Sequence, residues 1–127
     1  MAIYLAGPIF QCEDHECINW REEVKRRLPH HVICDPMERD YRGQTDEFFR
    51  QIVEDDKSSI DRCSVLLVNY LKPSVGTSME ILYAWERGKH VVVVIQNPEM
   101  SPWMLYHSHR VCQSLNEAII YIDGLSA

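Results

Sequence analysis

The sequence predicts an α/β fold, a three-layer α/β/α sandwich around a parallel, doubly wound sheet of about five strands. Three observations predict it. Short apolar runs rich in β-branched residues recur at residues 2–6, 64–70 and 90–95, with a weaker one at 31–34. Longer stretches with helical apolar spacing separate them, at residues 13–28, 46–60 and 76–87. Val65-Leu66-Leu67-Val68 and Val91-Val92-Val93-Val94-Ile95 show no polar alternation, as expected of central strands covered on both faces. Strands alternating with helices of this length imply parallel βαβ units with right-handed crossovers, in a flavodoxin-like strand order.

Taken in order, the first strand carries Tyr4 on the face opposite Ile3 and Leu5. Gly7-Pro8 turns the chain after it. The second strand ends at Cys34, and the polar, turn-rich segment 35–44 follows. In the helix at 46–60, Phe49, Ile52, Val53 and Ile60 mark a stripe expected to be buried, and Asp56 falls on that stripe one turn after Ile52. Asp55 is assigned to the solvated side. After the central strand, Pro73-Ser74-Val75-Gly76-Thr77-Ser78-Met79 leads to Glu80, expected in the first turn of the next helix. Residues 98–109 hold two prolines and read as an irregular connection. Ser114-Leu115-Asn116-Glu117 fits a capping box, and Ala118, Ile119 and Ile122 supply the apolar face of a last helix. No internal repeat, low-complexity tract or linker interrupts the pattern, so residues 1–127 are expected to form one domain.

Composition narrows the function. Thirteen Lys plus Arg against 19 Asp plus Glu give a net charge of -6, with no basic cluster of five residues. A nucleic-acid polymer is therefore not an expected partner, because phosphate neutralisation needs concentrated cations. Small anions remain open, since a few backbone N–H groups and one arginine hold a phosphate. No apolar stretch approaches membrane-spanning length and the chain opens without a leader pattern, so a cytoplasmic protein without membrane contact is expected. Five cysteines without zinc spacing read as reduced thiols, and no metal site is expected.

In a doubly wound sheet, ligands bind beyond the carboxyl ends of the strands. Glu80 is the first candidate there. The helix macrodipole would favour its ionised form, although Thr77-Ser78-Met79-Glu80 also fits a capping box in which the glutamate only serves its own helix end. Asp56 tips the balance toward chemistry. A carboxylate on an apolar stripe needs a partner or a raised pKa, and two carboxylates at one sheet mouth suit glycoside chemistry. Tyr4 reads either as core packing or as part of this site. Asp40, Tyr41 and Arg42 bring carboxylate, aromatic face and cation together, as a pocket for base and phosphate would; a solvated loop has the same composition. The chain has neither a Walker-type phosphate loop nor a G-x-G-x-x-G turn.

These residues in this order, Ile3-Tyr4-Leu5-Ala6-Gly7-Pro8, the Asp56 helix, and Pro73-Ser74-Val75-Gly76-Thr77-Ser78-Met79-Glu80-Ile81-Leu82-Tyr83-Ala84 followed by Gly88-Lys89, resemble the nucleoside 2-deoxyribosyltransferase family. The resemblance runs from residue 2 to about residue 122. It implies a double displacement in which Glu80 attacks C1′ of the sugar, Tyr4 orients that carboxylate, and Asp56 handles the proton of the departing base. Gly7, Pro8, Asp40, Tyr41, Arg42, Ser74, Gly76 and Ser101 would bind substrate, with no cofactor. It also implies a nucleoside or nucleotide substrate, a free base as acceptor, and a homo-oligomer in which a neighbouring subunit completes the site. The segment Ser101-Pro102-Trp103-Met104 is the candidate contribution, with a local hydrophobic lid as its alternative.

Two positions depart from the transferases of that family. Ser74 stands where they carry an aspartate on the sugar hydroxyls, and resembles the serine of the related 5′-monophosphate N-glycosidases. Asp40 stands where a base-contacting amide is expected. The expected activity is therefore transfer of the sugar to another base, with monophosphate hydrolysis as the alternative. A non-catalytic nucleotide-binding domain on the same scaffold is the reading from another class, since fold does not fix function. Gly7-Pro8, in place of an acidic cluster after the first strand, argues against a signal receiver.

Overall fold

The computed structural model describes residues 1–96 and 99–126. Five strands form one sheet: β1 (Ala2–Ala6), β2 (Val32–Cys34), β3 (Val65–Asn69), β4 (His90–Val94) and β5 (Arg110–Cys112). Their order is β2-β1-β3-β4-β5 and every pairing is parallel, so the strand order reverses between β1 and β3. The helices are α1 (Asp14–Arg27), α2 (Thr45–Asp61), α3 (Val75–Glu86), α4 (Pro102–Tyr106) and α5 (Leu115–Leu125), with a 3₁₀ turn at Pro36–Glu38. This is the expected α/β/α sandwich.

Strand alternation builds two cores. Ile3, Leu5, Val65, Leu67, Val92 and Val94 pack against Trp20, Val24 and Leu28 of the α1 side and against Ala118, Ile119 and Ile122 of α5. Tyr4, Ala6, Leu66, Val68, Val91 and Val93 face the other way, toward Ile60 of α2, Ile81 and Ala84 of α3, and Met104 of α4. Tyr4 thus lies opposite Ile3 and Leu5, as alternation requires.

The structure corrects the expected stretch at 98–109. Residues 102–106 form the short helix α4, which Ser101 caps by accepting from the Trp103 N–H at 3.2 Å, with Pro102 in the first turn. A short fifth strand follows at Arg110–Cys112. Pro98, where the expected connection opens, lies outside the described residues. The capping box of α5 is half as expected: Ser114 accepts from the Glu117 N–H, but the Glu117 carboxylate takes the Gln113 N–H instead of that of Ser114.

Helix α2 departs most from expectation. Of its apolar stripe only Ile60 is buried, while Phe49 is 51% and Val53 is 47% exposed. The helix packs on the sheet through its C-terminal turn, and its earlier turns stand over a cavity lined by Ile52, Val53, Asp56, Lys57 and Ile60. Asp55 is likewise only partly solvated, tied to Arg39 at 3.5 Å and to the Gln51 amide at 2.7 Å.

Candidate active site

The cavity has a volume of about 960 Å³ and opens at the carboxyl ends of β1 and β3, the point at which the strand order reverses. Three segments wall it: the turn after β1 (Gly7, Ile9, Phe10, Gln11, Cys12), the loop after β2 (Pro36, Met37 and residues 39–44), and the start of α3 (Ser74, Gly76, Thr77, Met79, Glu80). Helix α2 roofs it. Gly7 is required at its position because a Cβ there would meet Trp20 Cζ2 at 2.8 Å and the Asn69 carbonyl at 3.1 Å.

Tyr4, Glu80 and Asp56 meet on the floor, although 76 residues separate the first two. The hydroxyl of the buried Tyr4 donates to Glu80 Oε2, and Asp56 lines the same cavity as Glu80. Burial pushes the Glu80 carboxyl up to about 8, and the Asp56 charge adds to the rise, against the lowering effects of the Tyr4 hydroxyl and Arg21. Burial also lifts Asp56 to about 6, against the pull of Arg39, whose Nη2 is 3.7 Å from Asp56 Oδ1. Tyr4 is raised well above its ordinary value by burial and by both carboxylates, so it stays a hydrogen-bond donor. Both carboxyls are thus pushed toward their protonated forms in the same pocket, Glu80 the further.

This corrects two expectations for Glu80. Ser74 caps α3, its hydroxyl accepting from the Thr77 N–H at 3.3 Å and from the Thr77 hydroxyl at 2.9 Å, so Glu80 is the sixth helical residue and serves no cap. Its environment raises its pKa; the helix macrodipole, confined to the first turn, does not hold it ionised.

The other expected binding residues divide. Gly7, Asp40, Tyr41, Arg42, Ser74 and Gly76 line the cavity; Pro8 and Ser101 do not. Pro8 is buried outside the cavity lining, and the Ser101 hydroxyl is engaged in capping α4. Arg42 is not a free cation. Its guanidinium grips Asp40 through Nε at 2.9 Å and Nη2 at 2.7 Å, and Nη1 donates to Asp14 of α1. Asp40 is held below the usual carboxylate range by this pair. Tyr41 packs on Phe48, with ring centroids 5.3 Å apart.

Sequence reasoning missed Arg39, which joins the loop after β2 to Asp55, Asp56 and Ser59 of α2. It also missed Arg21, buried behind the floor, and Phe10, 74% exposed at the rim. Gln11, next to Phe10, has φ 59°, a left-handed conformation unusual for a residue with a side chain. None of these carries a local motif. Among the described residues, no group of three or more His, Cys, Asp or Glu could hold a metal ion, and no helix is long and apolar enough to cross a membrane.

A doubly wound parallel sheet with a tyrosine and two buried carboxyls at its switch point defines a class of small α/β domains with an acidic pocket at the strand ends. The family model of nucleoside 2-deoxyribosyltransferase matches residues 3–116, and the chain belongs to that family, whose members are enzymes acting on nucleosides or nucleotides. No curated protein matches it by sequence. Among solved structures it is similar to a 2-deoxyribosyltransferase from the psychrotolerant bacterium Bacillus psychrosaccharolyticus, with 21% identity, 94% of this chain and 90% of that one covered, and a TM-score of 0.74. A conserved protein from Enterococcus faecalis V583 gives 18%, 97% and 97%, and 0.74. The CMP N-glycosidase BcmB of Clostridium botulinum gives 16%, 97% and 99%, and 0.64. At these identities the likeness is one of fold.

Proposed function

We propose that this enzyme cleaves the N-glycosidic bond of a nucleoside through a glycosyl ester on Glu80 and passes the sugar to a second base. The observation that carries the reading is the Tyr4-Glu80 hydrogen bond with Asp56 in the same cavity, both carboxyls raised by burial. Glu80 binds a proton more tightly than Asp56, so the productive form, with Glu80 ionised and Asp56 protonated, requires that the proton pass from Glu80 to Asp56. The Glu80 carboxylate attacks C1′, the C1′–N bond breaks with its electron pair going to the base, and Asp56 protonates that base. An incoming base then attacks C1′, Asp56 takes its proton, and Glu80 is released. The Tyr4 hydroxyl fixes the attacking oxygen throughout.

The second reading is hydrolysis of a 5′-monophosphate, with water as acceptor. It is favoured by Ser74 and Gly76 lining the cavity at the N-terminal end of α3, where backbone N–H groups and the helix dipole suit an anion. Against it stands Arg42, the expected phosphate cation, already gripped by Asp40 and Asp14. Incubating the protein with each nucleoside and each 5′-monophosphate, with and without a second free base, and chromatographing the products separates the two. Base exchange on free nucleosides supports transfer; release of base from monophosphates alone overturns it in favour of hydrolysis.

We read residues 1–127 as one domain and the working form as a homo-oligomer whose neighbouring subunit closes the cavity. Val75, Met79 and Leu82 form an exposed apolar line on α3, and Trp103, Leu105 and Tyr106 another on α4. Met104, grouped with Trp103 as an interface residue from sequence, is buried in the core instead, so the anchor is Trp103, 73% exposed.

A further inference from the structure

Among the described residues, Arg21 is the largest fully buried side chain. It rises from α1, and its guanidinium donates to the Cys17 carbonyl at 2.7 Å, the Gly7 carbonyl at 3.2 Å and the Leu5 carbonyl at 3.4 Å. Its Nε has no hydrogen-bond partner; the nearest anion, Asp35 Oδ1, is 3.6 Å away. That anion is more tightly held elsewhere, by Lys25 Nζ at 2.8 Å and by the Met37 N–H at 2.8 Å. Asp35 is therefore a buried counter-ion that Arg21 shares with Lys25, and a buried guanidinium whose anion is so divided acts on the other charged groups around it.

The Tyr4–Glu80 pair lies on the face of β1 opposite the one that α1 covers. Leu5 follows Tyr4 in the strand and Gly7 lines the cavity, so the two carbonyls gripped by Arg21 flank the end of the strand that carries the Tyr4 hydroxyl to Glu80. We propose that Arg21 is a positioning residue of the active site, fixing the end of β1 through the Leu5 and Gly7 carbonyls and placing a buried positive charge behind Tyr4, Glu80 and Asp56. The groups facing it are Asp35 from the loop after β2, with Lys25 behind it; Cys17 on its own helix; Tyr4 on β1; Glu80 on α3; and Asp56 on α2. In agreement, its charge lowers the proton affinity of Tyr4, Asp56 and Glu80 alike. Arg21 touches no reacting atom in this assignment; it acts through the three groups that do.

The inference rests on Glu80 and Asp56 being the reacting pair, and its test does not depend on turnover. Carboxyl ¹³C shifts of labelled Glu80 and Asp56 are followed against pH in the wild type, Arg21→Gln and Arg21→Lys. In Arg21→Gln, which loses the charge, both midpoints should rise by about one pH unit. In Arg21→Lys, which keeps the charge, they should stay within a few tenths of wild type. Midpoints that do not move in a folded Arg21→Gln protein overturn the proposal, whatever its melting temperature. Should neither Arg21 variant fold, Asp35→Asn tests the same field with opposite sign. Asparagine still accepts from the Met37 N–H but no longer offsets the guanidinium, so both midpoints should fall; unmoved midpoints there overturn the proposal equally. A protein that titrates as described yet turns over no nucleoside or nucleotide would refute the proposed function and leave the role of Arg21 standing.

Discussion

Glu80, Asp56 and Tyr4 are set apart by what surrounds them, since carboxylates and tyrosines are common and their neighbourhood here is not. Glu80→Gln keeps the shape and removes the nucleophile, so turnover should vanish while the fold survives. Asp56→Asn should lower kcat by about 10²- to 10⁴-fold with little change in binding, the usual scale of general acid–base help. Tyr4→Phe should be milder, because it removes one oriented hydrogen bond. These rates, measured on the substrate the product survey identifies, decide the assignment; a Glu80→Gln protein of full activity would remove Glu80 from the chemistry. The two raised carboxyls also set an expected pH window. Below about pH 6 both carboxyls are protonated and Glu80 cannot attack; above about pH 8 both are ionised and no acid remains for the leaving base. A plot of kcat/KM against pH should therefore be bell-shaped between those limits. Stability follows the opposite sign from the usual carboxylate. Both folded-state values are raised, so their contribution is complete at acid pH and is lost as pH rises through about 6 and about 8. Glu80→Gln should accordingly raise the melting temperature at pH 9 and leave it nearly unchanged at pH 4.

At the level of elements, the helices and strands each place one part of the site, and their ends decide the rest. The α3 cap is the clearest case. Ser74→Ala should cost about 1 kcal/mol of stability by leaving the Thr77 N–H without its acceptor. Ser74→Asp keeps a good cap, so it isolates the question of the 5′ substituent. A carboxylate at this point of the cavity should weaken monophosphate binding by like-charge repulsion and spare free nucleosides. Equal loss for both, measured by titration calorimetry, would show that Ser74 does not face the 5′ position. The long strands and helices were legible because their apolar periods are long. The fifth strand was not, since Arg110-Val111-Cys112 is too short to display a period, and only Cys112 is buried. Helix α4 did announce itself through Ser101-Pro102, a cap followed by a first-turn proline, but a five-residue helix carries little further signal. The start of α3 differs from expectation because two overlapping caps were available, Ser74 and Thr77, and the earlier one is used. Arg21 and Arg39 were invisible for another reason. Their partners are carbonyls and carboxylates brought in by tertiary packing, and nothing in their immediate sequence marks them.

For the whole molecule, strand order and cavity position agree: the carboxyl pair lies where a β2-β1-β3-β4-β5 sheet leaves its crevice. The raised α2 leaves that crevice wide, and the apolar lines of α3 and α4 remain open beside it. If a second copy covers them, light scattering should report an oligomer at micromolar concentration. Trp103→Asp, with Leu105→Asp, should then give a smaller species of reduced activity, whereas a wild-type monomer with full turnover would end that part of the reading. The central claim is that the sugar passes through an ester on Glu80. Rapid acid quench of the protein with its nucleoside, followed by intact mass measurement and peptide mapping, tests it most directly. The expected result is a mass increase of one sugar residue, located on the peptide bearing Glu80 and absent from Glu80→Gln. Steady turnover with no adduct on that peptide, or the same adduct on the Glu80→Gln protein, would contradict it.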